Sequence, residues 1–236
     1  MVALEFESEL ARRIVRRDRD VKGWSACVGA VLAVFLVVNF TSGSLAAPRA
    51  VVHVGTHDAI AQYMGQYDSK SSVMMLSLQS AEDWVCIKVP FKGSLSDLTK
   101  VSFSEFVSST GGEDSPEPYV VIRMTEGRNL VCHPSDSYAG GDWWLPLSEW
   151  QLRDTVAKGM WMLAPTTADS PRLQLAEWQT SLGSANVLSI NLYVGCWNIS
   201  YPYISYVGDL VVNSDFVGLS NIGRCTGSSM DLPAGF

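Results

Sequence analysis

Between Ser94 and Met124 the chain spells out two half-buried strands around an acidic turn. Val101-Ser102-Phe103-Ser104 alternates apolar and polar residues, Gly111 to Pro118 forms an acidic Gly/Pro loop, and Tyr119-Val120-Val121-Ile122-Arg123-Met124 resumes the alternation. A period of two sets one face of each segment against a core and the other toward solvent, the pattern of an antiparallel sheet packed on one side. A helical domain does not tolerate that pattern, so the body of the chain is expected to be all-β.

Other segments repeat the theme. Val51 to Val54 and Val73 to Leu78 read as strands, the latter with Met74, Leu76 and Leu78 facing in. Trp84 to Phe91 sets Val85, Ile87, Val89 and Phe91 on one face and Trp84, Cys86 and Lys88 on the other, ending around Pro90 and Gly93. Val187 to Val194 alternates most regularly, with Leu188, Ile190, Leu192 and Val194 against a polar-out face of Ser189, Asn191 and Tyr193. Tyr206 to Asn213 closes the domain, and Ser214 to Phe236 trails off as a Gly/Ser-rich tail.

One short helix is expected after Ser170-Pro171, with Ser170 as cap, Pro171 at the first helical position, Leu175, Trp178 and Leu182 on one face and Gly183 as the stop. Around Ser148 to Val156 two readings compete. Ser148 and Gln151 fit a capping box, while Trp150, Leu152 and Val156 fit a twisted strand.

Composition supports one folded domain, since 47% of the residues are hydrophobic and only 17% charged, enough apolar surface for a core and too little charge for global disorder. The formal net charge is −7. Residues 1–23 hold six basic and five acidic side chains, so the remainder carries 11 against 19 and repels phosphate backbones, which excludes nucleic acid as a partner.

No charged side chain occurs between Gly23 and Arg49, and Val28 to Val38 is continuously apolar or small. With Arg12, Arg13, Arg16, Arg17, Arg19 and Lys22 on its N-terminal side, this stretch is a membrane-targeting helix over residues 24–47 whose basic flank stays in the cytoplasm. Residues 1–23 are then a cytoplasmic region, 48–213 the exported sandwich and 214–236 the tail. Cleavage after Ala46, following Ser44-Leu45-Ala46, gives a secreted form, and retention as a signal anchor gives a cell-surface form. Lys22-Gly23 before an apolar helix also resembles the processing site of archaeal pilins and archaellins, although Gly43, Ser44 and Pro48 interrupt the helix those families keep.

Export sets the chemistry of the cysteines. Cys27 lies in the apolar segment, and Cys86, Cys132, Cys196 and Cys225 lie in the body, an even number that suits two disulfides with three connectivities open. Asn198-Ile199-Ser200 is a glycosylation sequon in the exported part, and Asn39-Phe40-Thr41 is another at the membrane edge.

The sequence from Val73 to Val107, then Tyr119 to Met124, Leu173 to Trp178, Val187 to Gly195 and Tyr206 to Val212 resembles extracellular jelly-roll modules of the carbohydrate-binding type. Leu95-Ser96-Asp97-Leu98-Thr99 matches their strand entry, Pro118-Tyr119-Val120-Val121-Ile122 a following strand, and Tyr206-Val207-Gly208-Asp209-Leu210 the closing strand. The resemblance covers roughly residues 71–213 and implies an antiparallel β-sandwich of jelly-roll type that binds glycan. Thr125-Glu126-Gly127-Arg128-Asn129 stands where such modules often carry an Asp-rich turn, so a calcium site does not carry over with it.

Candidate site residues come from aromatic loops. Asp142, Trp143 and Trp144 follow two glycines, and Trp197, Asn198, Tyr201 and Tyr203 precede the last strand. Indole and phenol rings stack on the C–H faces of sugars while neighbouring carboxylates and amides hold hydroxyls; the competing reading places the same rings in the core or its rim. Exposed rings also suit a protein partner or self-association.

His53 and His57 stand four apart before Asp58, yet Val51, Val52, Val54 and Gly55 argue against the helix that would make them zinc ligands. Asp209 in the closing strand is a single carboxylate of the type that ligates calcium, though one near a strand end is more often solvated, and no other cofactor is indicated. Glu82-Asp83 and Glu113-Asp114 read as solvated loop acids. No G-x-S-x-G, Walker or H-E-x-x-H motif occurs. The leading expectation is a non-catalytic module displayed outside the membrane; a structural subunit of a surface layer or filament comes second, and an enzyme on the same scaffold third.

Overall fold

Alternating burial along the strands shows where the core lies. Val52, Val54, Leu76, Leu78, Val85, Ile87, Val89, Phe103, Val120 and Ile122 all belong to one buried apolar cluster between two sheets. The computed structural model describes residues 49–55, 58–109, 118–132, 149–164, 170–195, 202–220 and 222–226. The described residues all belong to one compact unit, 46–236.

Strands are numbered in chain order. The eight-stranded sheet runs β10 (Leu173–Gln174), β9 (Met160–Ala164), β7 (Asn129–Cys132), β6 (Tyr119–Met124), β11 (Asn186–Gly195), β4 (Trp84–Ser94), β1 (Val51–Gly55), β14 (Gly223–Thr226). The second sheet runs β2 (Ile60–Tyr67), β3 (Lys70–Leu78), β12 (Tyr203–Val212), β5 (Val101–Ser109), β8 (Gln151–Asp154), with β13 (Asp215–Phe216) hydrogen-bonded to β12. Every pairing is antiparallel except β1 with β14. Among the described residues two α-helices accompany the sheets, α1 (Thr155–Lys158) and α2 (Leu175–Leu182).

Strands change layer mostly at one end. Leu78 opposes Tyr203, Trp84 opposes Gly195 and Gly55, and Tyr119 opposes Tyr193, so β3→β4, β5→β6, β11→β12 and β1→β2 all cross between the sheets at this end. β7 also leaves there, since Cys132 opposes Val120 near the start of β6. The other end is closed by α2 and by short turns. Gln179 Nε2 donates to the carbonyls of Leu95 and Leu98 at 2.9 and 2.8 Å, fixing the helix to the 3-10 turn Leu95–Asp97. Trp178 Nε1 donates to Trp161 O at 2.9 Å, so the indole is buried with its polar atom satisfied.

Several expectations need correction. β4 runs on to Ser94 through Pro90 and Gly93, because β11 pairs with it down to Ser94. The register of β11 shifts between Val187 and Ser189, which turns Leu188 out to 56% exposure and puts Val187 in the core in its place. Ser189, Asn191 and Tyr193 do not face solvent; all three are buried, and Tyr193 joins Trp84, Cys86, Tyr119, Val121, Val131 and Ala164 in a second cluster on the outer side of the eight-stranded sheet.

Residues 151–154 are strand, and the helix that follows is a single turn capped by Asp154, whose carboxylate accepts from Ala157 N at 3.1 Å. α2 begins at Leu175, five residues after Ser170, because Gln174 and Glu177 supply the capping box and Leu173–Gln174 is drawn into the sheet. The stretch after Asn213 is not merely a tail, since β14 pairs with β1.

Cys86 and Cys132 are reduced and take part in no disulfide, so the two-disulfide expectation fails for them. They lie on opposite faces of the same sheet, Cys132 in the main core and Cys86 in the outer cluster, which keeps them from each other. Cys196 and the side chain of Cys225 lie outside the described residues, as does the membrane-targeting segment 24–47.

Candidate functional site

Residues that alternate away from the core on the six-stranded sheet gather aromatic rings. On β12, Tyr203 and Val207 point inward, so Ile204, Tyr206 and Gly208 point outward. On β5, Phe103 and Val107 face the core and Phe106 faces out. β2 and β3 are joined by a tight turn in which Asp68 has φ 49°, and this return sets Tyr67 opposite Lys70. Trp150 leads into β8, on whose outer side Leu152 is 69% exposed.

These elements bring four rings together. Tyr67 stacks on Tyr206 with centroids 3.7 Å apart and planes at 10°. Phe106 meets Tyr67 and Tyr206 edge-on at 5.3 and 5.9 Å, and Trp150 in a tilted contact at 5.5 Å. Phe106 and Tyr206 form the floor, while Tyr67, Trp150, Met75 and Ile204 are half-buried above it. The indole of Trp150 also lies over the backbone of Gly208, where an added Cβ would meet the ring at 3.9 Å. Burial pushes the Tyr206 phenol above its ordinary value, and the hydroxyl of Tyr67 adds to the shift.

A polar group sits beside the rings. The register between β12 and β5 slips between Gly208 and Val211, and inside that bulge Asp209 adopts φ 49°. A non-glycine residue in left-handed conformation costs about 1 kcal/mol or more, and bulges re-aim side chains next to functional surfaces. Here the carboxylate is aimed onto the outer face, where Oδ2 accepts from Lys70 Nζ at 2.6 Å and from Ser104 Oγ at 2.9 Å. Lys70 and Asp209 keep 32% and 35% of their side chains exposed. The result is an apolar aromatic patch flanked by a carboxylate, an ammonium and a hydroxyl.

The chain matches no protein-family model, and no curated protein matches it. Among solved structures it is similar to the family 11 carbohydrate-binding module of the cellulosomal cellulase Lic26A-Cel5E of Clostridium thermocellum, at 11% identity over 76% of this chain and 94% of that one, with a TM-score of 0.41. A second structure, of the family 11 module from Clostridium thermocellum in complex with a β-1,3-1,4-mixed-linked tetrasaccharide, gives 13% identity, 75% and 94% coverage and a TM-score of 0.42. An exo-β-agarase gives 12% identity over 72% of this chain and 24% of its own, with a TM-score of 0.39.

The residues expected from sequence distribute differently. Tyr203 opens β12 fully buried in the main core, out of reach of a ligand. Asp142, Trp143, Trp144, Trp197, Asn198 and Tyr201 lie outside the described residues. Asp83 is not a solvated acid; it is 1% exposed, and its Oδ2 accepts the backbone N–H groups of Gln79 and Ser80 at 2.7 and 2.9 Å. His53 sits in β1, an extended strand that removes the helical spacing a His53/His57 zinc pair needs, and His57 lies outside the described residues. Among the described residues, no group of three or more metal-ligating side chains comes together. Asp209, the lone calcium candidate, accepts from an ammonium and a hydroxyl.

A carboxylate pair of the glycosidase kind is not formed by the carboxylates nearest the face. Asp209 projects outward, whereas Glu105 on the neighbouring strand projects into the core, completely buried, with Oε2 3.6 Å from Arg153 Nε. Such pairs act on one bond from the same cleft, so these two do not serve.

Sequence reasoning missed the ring cluster because it treated Phe106 and Tyr206 only as strand residues and did not read β2 at all. The available signal was an aromatic side chain on the solvent parity of each of two neighbouring strands.

Proposed function

We propose that the protein is a non-catalytic jelly-roll module that binds glycan on the outer face of its six-stranded sheet, displayed outside the cytoplasmic membrane behind its apolar N-terminal segment. One observation carries the reading: the half-buried rings of Tyr67 and Trp150 stand over a packed aromatic floor directly beside the Lys70–Asp209–Ser104 network. Pyranose rings offer C–H faces to aromatic planes and hydroxyls to charged donors and acceptors, and this face supplies both within one patch. The likeness of the fold's outline to modules whose structures include one bound to a mixed-linked tetrasaccharide is compatible with that ligand class.

Screening the full chain on an array of neutral and acidic polysaccharides tests it, with Tyr67→Ala and Trp150→Ala as controls. Binding to at least one glycan, weakened tenfold or more in both variants, is the expected result. Binding that survives both substitutions, or no binding at all, would reject the assignment. A second reading is favoured by one feature, the exposed Ile60, Tyr63 and Met64 on edge strand β2. Concentration-dependent assembly abolished by Tyr63→Lys, with no glycan bound, would make the protein a structural subunit instead.

A further inference from the structure

At the opposite end of the sandwich from the layer-crossing loops lies a cleft of about 210 Å³, lined by Thr125, Glu126, Arg128, Ser181, Ser184 and Asn186, with Leu182 and Ala185 as its only apolar contributors. The turn that builds one wall joins β6 to β7 through two consecutive left-handed residues, Glu126 at φ 65° and Gly127 at φ 71°. Asn or Gly usually fills the first of these positions, since a longer side chain there is strained. Glu126 occupies it nonetheless, and its Oε2 accepts from Arg128 Nη2 at 2.7 Å. Met124 N donates to Arg128 O at 3.0 Å, closing the turn and fixing where the guanidinium begins. Arg128 Nε is desolvated and has no hydrogen-bond partner among the described residues.

We infer that this cleft is a second ligand site, separate from the sheet face, that takes a single neutral sugar unit through the Arg128–Glu126 pair. Its lining carries one cation and one anion and no other charge, so an anionic ligand drawn to Arg128 meets the carboxylate of Glu126. A pair of adjacent hydroxyls fits both, one accepting from the guanidinium and one donating to the carboxylate, while Thr125, Ser181, Ser184 and Asn186 add neutral donors and acceptors. Size argues for one unit, because sites for drug-sized ligands measure ~300–1,000 Å³. No aromatic ring lines the cleft, which sets its chemistry apart from the stacking face.

Saturation-transfer NMR on the full chain tests this with three probes: methyl β-D-glucopyranoside, glycerol and inorganic phosphate. The glucoside is expected to receive saturation, phosphate not to displace it, and glycerol to bind at least tenfold more weakly. Arg128→Gln should lower glucoside affinity about tenfold, with an unchanged thermal melt showing that the fold is intact. Glu126→Gln, which keeps the turn and removes the charge, should lower it as well. Trp150→Ala, which disables the sheet face, should leave this binding as it is, so failure of the first site and failure of this one are told apart. No transfer to the glucoside, equal transfer in Arg128→Gln, loss of transfer in Trp150→Ala, equal binding of glycerol, or displacement by phosphate would each overturn the inference.

Discussion

Tyr67 and Tyr206 lie nearly parallel at a centroid distance of 3.7 Å, although they come from strands β2 and β12, which are separated in the sheet by β3. Tyr67 is half-buried on an edge strand and Tyr206 is 8% exposed, so the outer ring is the accessible member of the stack. Tyr67→Ala is expected to cost about 1–2 kcal/mol of stability from lost ring contacts, and to reduce glycan affinity at least tenfold. Tyr67→Phe should keep the stability. Urea titration and glycan titration of the same preparations separate the two effects, and a Tyr67→Ala protein that binds as tightly as wild type would remove the stack from the binding face.

The Lys70–Asp209 pair is one-third exposed on both sides, so solvent screens it and its contribution to stability is about 0–1 kcal/mol. Asp209→Asn retains a side chain that tolerates left-handed φ and can still accept from Ser104 Oγ. It should therefore leave the urea midpoint almost unchanged while weakening glycan binding severalfold. Asp209→Val places a β-branched residue at φ 49° and should destabilise by about 1–3 kcal/mol. If Asn and Val prove equally destabilising, the conformation is not what that position selects.

The sandwich itself was legible because period-two alternation leaves few alternatives. Val85, Ile87 and Val89, or Val120, Ile122 and Met124, can face one core only as strands, and all six do. Where local signals were weak, the reading failed. β2 carries Gly65 at φ 73° and two register shifts, so its residues show no clean period. The bulge at Leu188 replaces that one inward residue by Val187 while Ile190, Leu192 and Val194 keep their places, a tertiary adjustment that composition does not announce. The site was less legible still, since Tyr67, Phe106, Trp150 and Tyr206 are far apart in sequence and meet only through the order of strands in the sheet. Loop aromatics stood out as motifs, whereas these four were hidden inside ordinary strand patterns.

Gly55 faces Trp84 directly across β1 and β4, and a Cβ on the glycine would fall 1.8 Å from the indole Cε2. The ring occupies the space any other residue at this position would need. Gly55 is paired with Trp84 in the ladder to β4 and follows Val54, which is paired on both sides, so the backbone has little room to retreat and the indole must swing out of its cluster with Cys86 and Tyr193. Gly55→Ala should destabilise by about 1–3 kcal/mol, the usual cost of overpacking, and Gly55→Ala combined with Trp84→Ala should show a coupling that a simple sum misses. Additive effects in that double-mutant cycle would contradict the geometry.

Glu105 has no exposed surface and sits among apolar neighbours, with Arg153 Nε 3.6 Å away as a partial counter-charge. Desolvation dominates, and despite the pull of Arg153 the carboxyl is pushed up from 4.5 to about 8. Its folded-state affinity for a proton thus exceeds the unfolded one. Between these two values the unfolded chain has released the proton while the native chain holds it, so this group's contribution is complete below pH 4.5 and is lost as pH rises through about 8. Glu105→Gln mimics the protonated form without titrating. Urea midpoints measured from pH 5 to pH 9 should therefore show wild type losing stability relative to Glu105→Gln as pH rises, with the difference levelling off above about 8. Parallel curves would mean that Arg153 holds the carboxylate ionised throughout, and that the core contains a true ion pair.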